Sequence, residues 1–190
     1  MKKILILAFI INVSLPALAQ KYVPVVKDST VLTYDAFSKG LGQHISLTLA
    51  ISNLNGDPIR LKWSVDGYGT GTFEIPAKAL ANGTKLVIKQ PDPDGVTKLN
   101  EDETLAVISK ETFNSLVTDK TFQLNGQKFT VSTSDTATYK VNDKVADVFH
   151  AATENGKNEI WVLNIPNFPL VYKAKSVTRG VDITLTGVKE

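Results

Sequence analysis

The 190-residue sequence contains no cysteine. The chain therefore forms no disulfide, has no thiol nucleophile and cannot build a cysteine-ligated metal site. A chain of this length buries enough apolar surface to be stable without covalent cross-links. For an exported protein, the absence of cysteine favours a bacterial envelope or secreted product whose stability rests on packing.

Histidine is scarce, with only His44 and His150 in the whole sequence. They lie far apart, and neither belongs to an H-x-x-x-H or H-E-x-x-H pattern, so the sequence has no local metal motif of this kind. The G-x-S-x-G pattern of a nucleophile elbow is also missing. We therefore predict that the protein is not an enzyme and uses no metal or cofactor. A hydrolase that assembles carboxylates or a histidine in space is the third alternative.

The longest apolar run lies at the N-terminus. Lys2 and Lys3 precede the apolar residues 4–11, and Ala17-Leu18-Ala19 is a small-x-small cleavage pattern. This arrangement is typical of a secretory signal peptide, so we predict that residues 1–19 direct export. A membrane anchor needs about 20 apolar residues and is less favoured, because polar sequence follows at once. The protein is expected in the periplasm or outside the cell, with no transmembrane segment in the mature chain.

Basic side chains form no dense patch. Arg60 and Arg179 are the only arginines, and the lysines are scattered. The precursor has 21 basic and 19 acidic residues. Loss of Lys2 and Lys3 with the signal peptide removes two of the 21 basic residues, so basic and acidic residues are equal in number and the mature chain is formally neutral. Because binding to a phosphate backbone draws on clustered lysine and arginine, we predict no nucleic-acid partner.

Alternation of apolar and polar residues dominates the rest of the chain. It is clearest at residues 45–51 and 59–65. Such a period of two predicts strands with one buried face, and the turn-rich connector between them predicts an antiparallel hairpin. A one-residue slip would expose every apolar side chain of the pair, so we expect a fixed register.

The same pattern predicts about ten to twelve short strands and one or two short helices over residues 20–190. A strand is expected at residues 105–108, and Ser109 is expected to cap a helix. Asn125-Gly126 is expected to turn a hairpin that sets Phe122 opposite Phe129. The chain is therefore predicted to be a single all-β domain, either a curved antiparallel sheet (half-barrel) or a β-sandwich.

Two loops partly match ligand-binding motifs. Residues 90–101 carry Asp92, Asp94 and Glu101 at calcium-ligand spacing, but Gln90 occupies the first ligand position. Residues 67–71 have three glycines, but a strand follows them where a phosphate loop would lead into a helix. We interpret the first loop as a turn. The second is a flexible turn, a bulge, or a place where backbone packs closely against an aromatic ring.

Aromatic residues on predicted strands are the candidates for ligand binding. Trp63, Trp161 and Tyr172 are predicted to line an apolar site on the concave face of the sheet. The alternative is that these side chains are packed into the core, which is the commoner place for strand aromatics.

The C-terminal sequence Ile160-Trp161-Val162-Leu163, then Phe168-Pro169-Leu170, then Gly180-Val181-Asp182-Ile183-Thr184-Leu185 resembles the ends of uncharacterised secreted proteins from Bacteroidetes. It is also similar to the DUF3108 and LolA/LolB-like group, where a tryptophan-bearing strand precedes a proline turn and a final strand. The resemblance implies a curved antiparallel sheet closing over short helices. Lipoprotein carriers of that group hold acyl chains in an enclosed apolar cavity. This chain has less predicted helix to form a lid, and no individual binding residue carries over.

These observations predict an exported envelope protein that binds a lipid or another apolar ligand in a curved β-sheet. The alternative is an interaction or structural module of the envelope that recruits a protein partner through an edge strand or a loop. A cavity would favour the first function, a long uncovered edge the second, and convergent carboxylates or a histidine in a cleft the hydrolase.

Overall fold

A computed structural model describes residues 21–134 and 136–190. The predicted signal peptide at residues 1–19 lies outside the described residues. Within them the chain forms fifteen strands and two short helices, which confirms the mostly-β prediction. The strands are β1 (Val31–Ser38), β2 (Gln43–Ser52), β3 (Ile59–Val65), β4 (Gly69–Ile75), β5 (Lys85–Leu86), β6 (Val96–Lys98), β7 (Glu103–Thr104), β8 (Thr121–Leu124), β9 (Gln127–Val131), β10 (Lys140–Val141), β11 (Lys144–Val145), β12 (Val148–Thr153), β13 (Glu159–Leu163), β14 (Val171–Lys175) and β15 (Val181–Lys189). The helices are α1 (Ala77–Asn82) and α2 (Lys110–Thr118).

Eleven of these strands form one large open sheet in the order β6-β4-β3-β2-β1-β15-β14-β13-β12-β9-β8. Neighbouring strands are antiparallel except β4 and β6, which run parallel and make the sheet mixed. A single sheet of this size with one apolar core is the half-barrel of the two predicted architectures. In this order β1 lies between β2 and β15, so the first strand of the chain pairs with the last.

The β2–β3 hairpin has the register that its alternation predicts. Leu49 lies opposite Trp63 and Ile51 opposite Leu61, so the apolar side chains of both strands share the inner face. All four are almost completely buried. Burial of the alternate apolar positions fixes this register, because a slip of one residue would turn them to solvent.

Local signals explain α2 and the β8–β9 hairpin. The Ser109 hydroxyl accepts a hydrogen bond from the Thr112 backbone N–H and caps the helix as predicted. Phe122 lies opposite Phe129, and their rings stack with centroids 5.4 Å apart.

No helix among the described residues has the length and apolar character needed to cross a membrane.

The strand predicted at residues 105–108 is absent. These residues, here called the crossing segment, lie against the inner face of the sheet and make one isolated bridge, between Val107 and Leu170. Ala106 has a positive φ of 61°, which breaks the extended conformation that a strand requires. The apolar run is buried as expected, and its backbone bonds to Pro169 in the loop before β14 and to Val171, the first residue of that strand.

Candidate functional site

A pocket of about 860 Å³ opens at the end of the half-barrel where β1 turns into β2 and β3 into β4. Most of its lining is apolar and includes Leu41, Ile45, Leu47, Val65, Tyr68 and Phe73. Residues 88–91 cover one side, and residues 105–106 of the crossing segment close the inner end. The volume is in the range of small-molecule sites, which run from about 300 to 1,000 Å³.

Strand register brings these apolar side chains together. Ala36 lies opposite both Ile45 on β2 and Ile183 on β15, and Leu47 lies opposite Val65 on β3. Directly opposed residues in antiparallel strands point to the same face of a sheet. The inner positions of four neighbouring strands therefore form one continuous apolar wall.

The mouth of the pocket carries two exposed apolar side chains. Leu41, in the β1–β2 turn, is 68% exposed, and Tyr68, in the β3–β4 turn, is 47% exposed. The side-chain amide of Gln90 donates to the Tyr68 hydroxyl at 3.3 Å, which joins the β3–β4 turn to the segment that covers the pocket. Apolar side chains left in water at the entrance of an apolar pocket suit an amphiphilic or apolar ligand.

Charge near the rim is internally balanced. Lys89 Nζ lies 2.6 Å from a carboxylate oxygen of Glu103, and the Asn100 N–H donates to the same carboxylate at 2.8 Å. Partial burial raises the pKa of Glu103, but the hydrogen bonds from Lys89 and Asn100 outweigh it and lower the pKa below its ordinary value. Lys89, the one lysine among the described residues that line the pocket, is therefore already paired.

Tyr34 is the polar group at the inner end of the pocket. Its hydroxyl donates to the Val171 carbonyl at 2.8 Å and lies 3.4 Å from the Ala106 carbonyl. Complete burial raises the pKa of Tyr34 far above its usual range, so the phenol stays neutral. This neutral hydroxyl ties β1 to the carbonyls of Val171 and Ala106.

Trp63 lies on the inner face but does not contact the open space. It is 1% exposed, and its ring centroid lies 6.0 Å from that of Tyr68. Its indole N–H has no hydrogen-bond acceptor among the described residues. Gly71 packs so closely on the indole that an added Cβ would come within 2.6 Å of its nitrogen. The glycine-rich segment is therefore a place of close approach between backbone and an aromatic ring, as one of its predicted interpretations had it.

Trp161 and Tyr172 lie on the opposite face of the sheet from Trp63. The strand pairings place Trp161 in one row across the sheet with Lys173, Thr184 and Asp35. The side chains of this row face away from the pocket. A β-bulge sets Tyr172 beside Lys173 on this outer face. The structure does not bring the three predicted aromatic residues together. Their role in ligand binding stays a prediction.

The surroundings of Trp161 explain its burial on an outer face. Its ring stacks on His150 with centroids 4.3 Å apart, and Lys173 Nζ lies 4.8 Å from the ring centroid. The indole N–H donates to the Tyr139 hydroxyl at 2.8 Å, and Tyr139 also packs edge-on against Tyr172. The segment around Tyr139 thus covers this part of the outer face.

Each histidine pairs with a carboxylate on the neighbouring strand. His44, which borders the pocket, has its Nδ1 2.8 Å from the Asp35 carboxylate, and His150 Nε2 is 3.2 Å from Glu159. No serine or threonine hydroxyl of the described residues bonds His44. Glu101 of the calcium-like loop pairs with Lys78. In residues 21–134 and 136–190, no three His, Asp or Glu side chains are close enough to hold a metal ion together.

Sequence reasoning missed the residues that line the pocket. Ile45, Leu47 and Val65 were predicted as inward-facing core positions, and their alternation gives no sign that the space in front of them stays open. A usable signal lies in the turns, where Gly40-Leu41-Gly42 and Gly67-Tyr68-Gly69 each place one large apolar residue between glycines. Apolar residues at turn tips are unusual, because turns favour polar side chains.

Comparisons with protein-family models, with curated proteins and with solved structures found no match.

Proposed function

We propose that this protein is an exported envelope protein that binds a lipid or another apolar molecule in the pocket at the open end of its half-barrel. The observation that carries the proposal is the pocket itself, a space of about 860 Å³ bounded by apolar side chains from four adjacent strands. Well-packed interiors leave few voids larger than a water molecule. An apolar pocket of this size with an apolar entrance therefore suits an apolar occupant.

The alternative of an interaction module has less support. The two edge strands, β6 and β8, have three and four residues. Edges this short offer few backbone groups for strand addition by a partner. The hydrolase alternative has less support. His44 borders the pocket and pairs with Asp35, but no serine or threonine hydroxyl of the described residues bonds it, and the His150–Glu159 pair lies outside the pocket.

Native mass spectrometry of the protein purified from a periplasmic extract, followed by solvent extraction of the adduct, tests the proposal. We expect a stoichiometric apolar molecule. Titration with a fluorescent fatty acid gives a second measurement that does not depend on a retained ligand. Protein that carries no adduct and binds no fluorescent fatty acid would rule out the proposed function.

A matched pair of variants on β2 tests the location. Ile45→Glu places a carboxylate on the pocket wall, where an apolar chain would have to desolvate it. Thr48→Glu places the same group on the outer face of the same strand. We expect at least tenfold weaker fatty-acid binding in the first variant and an unchanged constant in the second, since an unpaired charge costs more than about 1.4 kcal/mol. Equal binding by both would show that the ligand lies elsewhere.

A further inference from the structure

The crossing segment divides the space inside the half-barrel into two parts. Leu105 and Ala106 line the inner end of the pocket. The next two residues, Val107 and Ile108, line a separate groove of about 1060 Å³ at the opposite end of the sheet. Four consecutive residues therefore form a wall between the pocket and the groove.

Backbone hydrogen bonds hold this wall in place. The Val171 N–H donates to the Ala106 carbonyl at 2.9 Å, and the Ile108 N–H donates to the Pro169 carbonyl at 3.1 Å. The Tyr34 hydroxyl reaches the same point from β1. All four residues of the segment are at most 3% exposed. A segment bonded on both sides and fully buried is not displaced by small forces, because opening it would leave buried polar groups unpaired.

Burial increases along the pocket from its mouth to this wall. Leu41 is 68% exposed at the mouth, Leu47 is half-buried on the side wall, and Leu105 is 3% exposed at the inner end. Positions 45 to 49 of β2 alone span about 13 Å along this path at the usual rise of a strand. The pocket is therefore an apolar path with one open end and one closed end.

We propose that the crossing segment sets the greatest length of straight apolar chain that the pocket accepts, with Leu105 as the residue that meets the chain end. The ligand class is a single unbranched acyl chain whose polar end stays at the mouth near Tyr68 and Gln90. This inference rests on the proposed function and adds to it the shape of the ligand and the residue that limits its length.

Displacement of a fluorescent fatty acid by saturated fatty acids from octanoate to stearate tests the proposal. Each added methylene that finds room in the pocket improves binding about fourfold. The gain is expected to stop at the length at which the chain end reaches Leu105. Longer chains then gain nothing, because their extra methylenes stay in water or force a bend.

The chain length at which the gain in binding stops is here called the break. Leu105→Ala removes about three carbons from the wall and is expected to move the break toward longer chains by about two methylenes. Leu47→Ala is the matched control, with the same deletion on the side wall. It is expected to weaken binding of every length and leave the break where it is. Leu105→Val makes a smaller opening and is expected to shift the break in the same direction. This variant replaces Leu105→Ala in the experiment if the alanine variant does not fold.

The outcomes separate the two proposals. If the wild-type protein binds no fatty acid of any length, the proposed function fails and this inference fails with it. If the protein binds fatty acids but folded Leu105 variants keep the wild-type break, only the length limit is wrong. A shift of equal size in Leu47→Ala would also overturn it, since the length dependence would then follow total pocket volume.

Discussion

At the residue scale, close contacts with neighbouring groups explain why position 71 is a glycine. Gly71 lies on β4 opposite Trp63, beneath the loop that contains Asp92. A Cβ at this position would lie 2.6 Å from the indole nitrogen and 2.7 Å from the Asp92 carbonyl oxygen. Both partners are held by the fold, one as a buried ring and the other as backbone, so neither yields without cost.

Gly71→Ala is therefore expected to lower the free energy of unfolding by about 2 kcal/mol, the usual scale of overpacking in a filled core. Chemical denaturation followed by tryptophan fluorescence measures the change. Gly40→Ala is the control, because a Cβ there meets nothing within 4 Å and its φ is not positive. A Gly71 variant as stable as the Gly40 variant would contradict this account of the contact.

At the element scale, the Asn125-Gly126 turn does more than reverse the chain. Both residues have positive φ, 52° and 73°, as a two-residue hairpin requires. The Asn125 side chain also accepts from the Leu86 N–H at 2.8 Å, donates to the Leu86 carbonyl at 3.0 Å and donates to the Val177 carbonyl at 2.8 Å. One side chain thus ties the end of the β8–β9 hairpin to β5 and to the β14–β15 turn.

Asn125→Gly keeps the backbone conformation of the turn and removes these three hydrogen bonds. We expect it to destabilise the protein by about 2 kcal/mol, because backbone groups of Leu86 and Val177 lose their partners. Asn155→Gly is the matched control, since Asn155 also precedes a glycine in a hairpin turn but bonds only residues of its own turn. Thermal unfolding of both variants distinguishes a general turn effect, which would lower both equally, from the loss of the long-range ties.

At the scale of the whole molecule, ion pairs link distant parts of the chain. A hydrogen bond from Lys175 lowers the pKa of Glu159. In Asp147 burial raises the pKa, but hydrogen bonds from Lys21 and Asn164 outweigh it and lower the pKa. Carboxyl groups with a lowered pKa bind fewer protons in the folded than in the unfolded chain. Their contribution to stability is present above the unfolded pKa and is lost as pH falls through the folded one.

Stability is therefore expected to fall as pH drops below about 4, where unfolded carboxyl groups take up protons first. Glu159→Gln is expected to be less stable than wild type at neutral pH and to approach it in acid, because the lost interaction exists only with the ionised carboxylate. Urea unfolding between neutral pH and about pH 2 measures the gap. Glu154→Gln, an exposed glutamate in the adjoining turn, is the control. A gap for Glu159→Gln that does not change with pH would contradict the assignment.

The sequence by itself determined the features that depend on neighbouring residues. Alternation at 45–51 and 59–65 predicted the β2–β3 hairpin and its inner face, the Asn-Gly pair predicted the turn that stacks Phe122 on Phe129, and Ser109 predicted the start of α2. Each of these signals acts within a few residues, through side-chain periodicity, backbone conformation or a local hydrogen bond.

Only the tertiary structure decided which buried residues face open space. An alternating strand has two faces, and its pattern does not say whether the inner face meets packed side chains, as at Trp63, or a pocket, as at Ile45. It also does not say that Trp161 is buried on an outer face, since Tyr139 covers it from 22 residues away. The crossing segment has the composition of a strand, and contacts with Tyr34, Pro169 and Val171 make it the closed end of the pocket. These contacts join residues distant in sequence, so local patterns do not encode them.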